Sequence, residues 1–152
     1  VDLDKAVTAL RRAAVLAPEH QEVKVQQAVL QMQTCPLDAT AKCRPQWQAA
    51  AKTLRQVLRA APDNFDAAYR LGVTELYSGR ADKALGYLRL AHQLAPWAPR
   101  INLHLGDCLR MLGAPSARDY LTNARAWAQD EATYYLADAA LELIDISAAP
   151  NP

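Results

Sequence analysis

The chain is short of glycine and of the alternating runs that a strand needs. Among its 152 residues are five glycines and one phenylalanine, and few runs alternate apolar and polar side chains. A half-buried strand needs that period-two alternation, so a β-sheet is excluded as the organising element. Charge of one sign is missing too: 17 Lys and Arg stand against 16 Asp and Glu, a formal net charge of +1. A chain so balanced has no global attraction for a polyanion, and nucleic acid is not an expected partner. No apolar run approaches the roughly 20 residues that span a bilayer, so membrane insertion is not expected, and no secretory leader is visible. Chemistry has no visible home either. There is no Gly-rich phosphate loop, no H-E-x-x-H pair and no G-x-S-x-G elbow. His20, His92 and His104 lie far apart, none beside a plausible nucleophile, so no catalytic residue, metal site or cofactor is expected.

What is present is a repeat. Ala-Pro closes three helical stretches, at Ala17-Pro18, Ala61-Pro62 and Ala95-Pro96, the second and third 34 residues apart. Ala50, Leu54 and Val57 return at that spacing as Ala84, Leu88 and Ala91, and Leu71-Gly72 returns as Leu105-Gly106. A fixed period of this length marks stacked copies of one supersecondary unit, each unable to bury its apolar face alone. Gly72 and Ala84 are small where paired helices come closest. Gly79 supplies the backbone freedom that ends a first helix, and Pro96 stops a second helix past its apolar stripe.

This pattern, clearest in Leu71, Gly72, Gly79, Ala84, Leu88, Ala91 and Pro96, resembles the tetratricopeptide repeat (TPR) family. The resemblance implies an all-α fold: an α-solenoid of eight helices in antiparallel pairs, a right-handed superhelix with a C-terminal capping helix. The expected domain covers 1–146. It divides into a half repeat at 1–18, a repeat at 21–64 with an inserted loop at 34–45, repeats at 65–98 and 99–130, and a cap at 131–146. A short tail follows at 147–152. The chain opens at an inter-helix turn without an initiator Met and reads as an excerpt or processed product of a longer protein. Asp138-Ala139 stands where the repeats carry Leu-Gly, which predicts a polar, water-facing cap.

In that family the first helix of each unit lines the concave face. The resemblance places Val25, Val29, Met32, Tyr69, Val73, Leu76 and Tyr77 there, followed by Arg100, Leu103, Asp107, Arg110 and Met111, with Leu136 on the cap. The implied activity is non-enzymatic: a protein-protein interaction module holding a partner peptide or helix in this groove, within a longer scaffold or assembly protein. Self-association, with a neighbouring copy in the groove, is a further option. The alternatives are a substrate-recognition arm of a larger enzyme and a secretion-type chaperone, whose compact pattern the insertion departs from. The family's lysine-and-asparagine clamp for a C-terminal carboxylate is missing, because Tyr69, Val73, Leu103 and Asp107 occupy its positions. The outer-face residues Arg11, Arg55 and Arg89 share a register and read as a solvated row. Cys35 and Cys43, in the insertion, are candidates for a disulfide or two free thiols. A bridge would favour an extracytoplasmic compartment, which the sequence otherwise leaves open. Cys108 reads as a core residue.

Overall fold

The computed structural model describes residues 3–33 and 40–148. They form α1 (Leu3–Leu16), α2 (Gln21–Gln33), α3 (Thr40–Ala60), α4 (Phe65–Tyr77), α5 (Ala81–Leu94), α6 (Pro99–Met111), α7 (Ala117–Ala126) and α8 (Glu131–Ala148). The eight helices match the expected number, and no strand occurs among the described residues. Beyond the span between α2 and α3, each turn has only three to five residues, so consecutive helices pack antiparallel.

The repeated dipeptide makes a repeated turn. At each Ala-Pro the alanine N–H closes its helix by donating to the carbonyl four residues back: Ala17 to Ala13, Ala61 to Val57 and Ala95 to Ala91, at 2.8–2.9 Å. The alanine carbonyl then accepts from the N–H three residues on, at His20, Asn64 and Ala98. Proline suits the second position of such a turn, where its fixed φ is wanted and no N–H is needed. First helices end differently. Gly79 and Gly113 adopt φ 75° and 70°, and the N–H of the next residue reaches back to Glu75 and Leu109, so a left-handed glycine seals both ends.

Packing follows the register. Leu54, Leu71, Leu88, Leu105 and Leu121 are all fully buried, contributing roughly 1.5–3 kcal/mol apiece. A Cβ on Gly72 would stand 2.6 Å from Leu88 Cγ, and one on Gly106 would stand 2.7 Å from Leu121 Cγ. The core is a chain of small clusters between neighbouring helices, as a one-dimensional stack requires. First helices approach along the stack, α2 to α4, α4 to α6 and α6 to α8. The backbones of α3, α5 and α7 do not make equivalent contacts, and α5 and α7 meet through the His92–Tyr120 ring pair. The stack therefore curves with its first helices inside.

Two expectations need correction. The loop expected through Pro45 is shorter, since α3 begins at Thr40 and contains that proline. Cys43 and Trp47, at 2% and 6% exposure, continue the stripe of Ala50, Ala51 and Leu54 by one further turn. That burial outweighs the single backbone bond a proline removes. The outer face of α8 meets water but mixes apolar with polar side chains, Glu131, Glu142 and Asp145 being exposed as well. Tyr135, Leu136, Leu143 and Ile146 are exposed on it, while Asp138 pairs with Arg125 at 2.7 Å.

Candidate concave groove

The groove centres on α4 and α6. Asn64 caps α4, its side-chain oxygen accepting from the Ala67 N–H at 2.9 Å, and this fixes the helix start one turn before Tyr69. Across from it, the His104 imidazole sits between two tyrosines. Tyr69 meets it edge-on with centroids 5.5 Å apart, and Tyr77 does the same at 6.1 Å. His104 Nδ1 lies 2.8 Å from the Arg100 carbonyl oxygen, which only accepts, so Nδ1 carries the proton. It also lies 3.2 Å from the Tyr69 hydroxyl. Nε2 is then the acceptor for the Tyr77 O–H at 3.5 Å. Burial pushes Tyr69 up to about 12, raises Tyr77 and holds His104 below the ordinary histidine value. All three rings are neutral near pH 7, with their polar ends turned on one another.

The charged groups of the groove are internally matched. Arg70 pairs with Asp66 at 3.0 Å, Arg110 with Asp107 at 2.6 Å, and Arg100 reaches Asp130 at 3.5 Å. Such exposed pairs add about 0–1 kcal/mol each to stability. Their larger effect is to leave the groove nearly neutral.

The expected lining divides in four. Tyr69, Tyr77, Arg100, Asp107 and Arg110 come together on α4 and α6, and Val73 and Met111 lie on the same two helices, with Tyr77 and Met111 about half exposed. Val29 and Met32 lie at the α2 end, partly buried against the first core cluster, and Met32 accepts a hydrogen bond from the Thr74 hydroxyl. Val25, Leu76 and Leu103 do not line the groove, at 0%, 4% and 6% exposure. Val25, Tyr69 and Leu103 share one register position, which faces the next unit. The two aliphatic side chains disappear into the clusters there, and only tyrosine is long enough to reach the open face. Leu136 is exposed on α8.

From the sequence His104 could be placed at the groove edge but read more readily as a surface or inter-helix filler; it stands one position beyond the equivalent of Tyr69. Sequence reasoning missed Glu75, which is 1% exposed and held by Arg55 at 2.8 Å and Arg80 at 2.5 Å. Arg55 is thus a clip between units rather than part of a solvated row. The only sequence signal was an acidic residue on a stripe of buried side chains.

Cys43 is disulfide-bonded, whereas Cys108 is free. The expected partner, Cys35, lies outside the described residues, as do 149–152 of the tail. The Cys108 thiol donates to the Ala81 carbonyl at 3.2 Å and burial raises it to about 11, which makes it an inert core group. Among the described residues no cluster of three or more His, Cys, Asp or Glu is placed to hold a metal ion. No described helix is long and apolar enough to cross a membrane.

The fold defined by these units is TPR-like, and solved structures share it. TTC0263, a thermophilic TPR protein of Thermus thermophilus, superposes with a TM-score of 0.72 at 18% identity, covering 95% of this chain and 73% of that one. The type III secretion chaperone SycD of Yersinia enterocolitica, in complex with a peptide of the translocator YopD, gives 0.69 at 17% identity over 84% and 94% of the two chains. PcrH from Pseudomonas aeruginosa gives 0.66 at 21% identity over 83% and 94%. No protein-family model and no curated protein matches the sequence.

Proposed function

We propose that this chain is a non-catalytic member of the tetratricopeptide repeat family that holds an extended segment or a helix of a partner protein in its concave groove. The observation that carries this reading is the Tyr69–His104–Tyr77 cluster. Its rings are locked against one another by edge-on contacts and hydrogen bonds. A partner therefore meets aromatic surface that loses little freedom on binding, and such rigid aromatics dominate interface energies. Arg100 and Arg110 on the groove are matched by Asp130 and Asp107, so they offer no strong preference for an acidic segment. Selectivity comes from apolar anchors at Tyr77, Val73 and Met111, because the arginines are already engaged.

A second reading has the groove shield a segment of a client protein before export. It is favoured by the likeness to SycD, a secretion chaperone seen with a translocator peptide. Both readings use one surface and differ in what the partner does next.

The test is selection of displayed random peptides on the immobilised chain. Enriched peptides should carry aliphatic or aromatic residues at regular spacing. Replacing Tyr69 and Tyr77 together by alanine should weaken their binding by about 2 kcal/mol, roughly 30-fold. Replacing Arg11 and Arg89 on the outer helices should leave it unchanged. Binding that depends on the arginines and ignores the tyrosines would overturn the proposal.

A further inference from the structure

Between the second helices α3 and α5 lies a cavity of about 550 Å³, lined by Arg55, Glu75, Lys83, Gly86, Tyr87 and Leu90. Its size suits a small molecule. It is separate from the concave groove, which α4 and α6 line. Gly86 is the first sign of a purpose. It stands inside α5, where glycine is a poorer helix former than alanine. Packing does not ask for it, since a Cβ there would meet nothing within 4 Å, and its φ is not left-handed. What the bare backbone does is leave the cavity open.

Charge is the second sign. Glu75 forms the floor, and both its oxygens are taken, one by Arg55 at 2.8 Å and the other by Arg80 at 2.5 Å. The Arg55 side chain is still 41% exposed, and its guanidinium keeps N–H groups for a second acceptor. Lys83 is exposed and makes no ion pair among the described residues. Its neighbour Asp82 acts on Cys108, toward α6. Three cations thus surround one carboxylate. Tyr87 and Leu90 add a half-buried apolar wall, backed by two core clusters.

The next junction, between α5 and α7, is built otherwise. The register puts Arg89 at the place of Arg55, but Leu109 at that of Glu75, Ser116 at that of Lys83 and Asp119 at that of Gly86. Tyr120, the counterpart of Tyr87, meets the His92 ring edge-on. The lysine is gone, and an acid replaces the glycine.

We propose that the α3–α5 cavity binds a small organic carboxylate with a flat apolar body. The carboxylate sits between Arg55 and Lys83, and the body lies over Gly86 against Tyr87 and Leu90. A guanidinium suits the two oxygens of a planar anion. A single charge fits better than a phosphate dianion, because Glu75 in the same wall repels added negative charge. The site is independent of what the concave groove holds.

Benzoate, phenylacetate and phenylpropionate, titrated into the isotope-labelled chain and followed by backbone amide NMR shifts, test this. At least one should give saturable shifts at Lys83, Gly86 and Tyr87, with a Kd of about 1 mM or tighter. Benzyl alcohol, which has the ring without the charge, and phenyl phosphate should bind at least about tenfold more weakly. Gly86→Leu fills the cavity from an exposed helix position, so circular dichroism should match the parent while the saturable shifts vanish. Lys83→Gln should weaken binding about tenfold with the fold intact. No saturable shift from any of the three carboxylates up to about 10 mM would overturn the proposal. So would undiminished binding by Gly86→Leu, or shifts confined to α4 and α6. Tighter binding of phenyl phosphate would refute the choice of a carboxylate.

Discussion

The unit of α4 and α5 and the unit of α6 and α7 share their closest contacts almost atom for atom. Gly72 against Leu88 and Gly106 against Leu121 leave the same absence of room, and Gly79 and Gly113 turn the chain the same way. The units part at polar positions. Where α4 carries Glu75, clasped by Arg55 and Arg80, α6 carries Leu109 in an apolar cluster. Where α4 has the fully buried Ala68, α6 has Asn102, whose amide donates to the Pro96 and Ala98 carbonyls and pins the preceding turn. Tyr69 faces the groove from a register place that Leu103 spends on the core. The repeated positions set how closely backbones approach. The unrepeated ones give each unit its separate task.

The strongest challenge to that division is to fill the shared contact. Gly72→Leu and Gly106→Leu should each lower stability by about 1–3 kcal/mol through overpacking, and by similar amounts. Urea midpoints would measure this, and a large cost at one glycine with none at the other would break the equivalence. The Glu75 clasp offers a finer probe. Glu75→Ala leaves two arginines without their acceptor. Both guanidinium side chains keep some solvent, at 41% and 32% exposure, so the loss should be nearer 1–2 kcal/mol than the 3–5 of a fully buried pair. Glu75→Leu imitates the next unit and should recover most of it, as read by thermal unfolding.

The smallest effect concerns His104. Its folded value lies below the ordinary histidine value of about 6.5. The unfolded chain therefore binds more protons below that pH, so the contribution of neutral His104 is full above it and is lost as the pH falls toward the folded value. The groups around it are Tyr69 and Tyr77 from α4, and the Arg100 carbonyl and guanidinium and Asp107 on its own helix. Stability measured at pH 7.5 and 5 should drop more in the parent than in His104→Gln. Equal slopes would mean that the imidazole titrates as if in water.

Much of the scaffold was readable because its constraints recur. A 34-residue period, a small residue at each close approach and proline after α1, α3 and α5 are local facts that need no tertiary knowledge. Tyr69, Val73, Tyr77 and Met111 were reached by carrying that register inward. His104 was not, because one position of rotation on α6 decides whether a side chain meets the groove or α8, and α8 settles it by covering Leu103. The early start of α3 was hidden by Pro45, a residue that ordinarily ends helices, although Cys43 and Trp47 already continued the apolar period. The cap was misread from Asp138 alone. Its charge is answered by Arg125, and Tyr135, Leu136, Leu143 and Ile146 stand exposed among the acidic residues of the same helix.

The central claim is that the concave face, and not the outer helices, receives a partner. Backbone amide shifts measured by NMR, as a selected peptide is titrated into the chain, test it most directly. The largest changes should map to α4 and α6, around Tyr69, Val73, Tyr77, His104 and Met111. Changes confined to α5 and α7, around Arg89 and Arg118, with the groove amides unmoved, would contradict it.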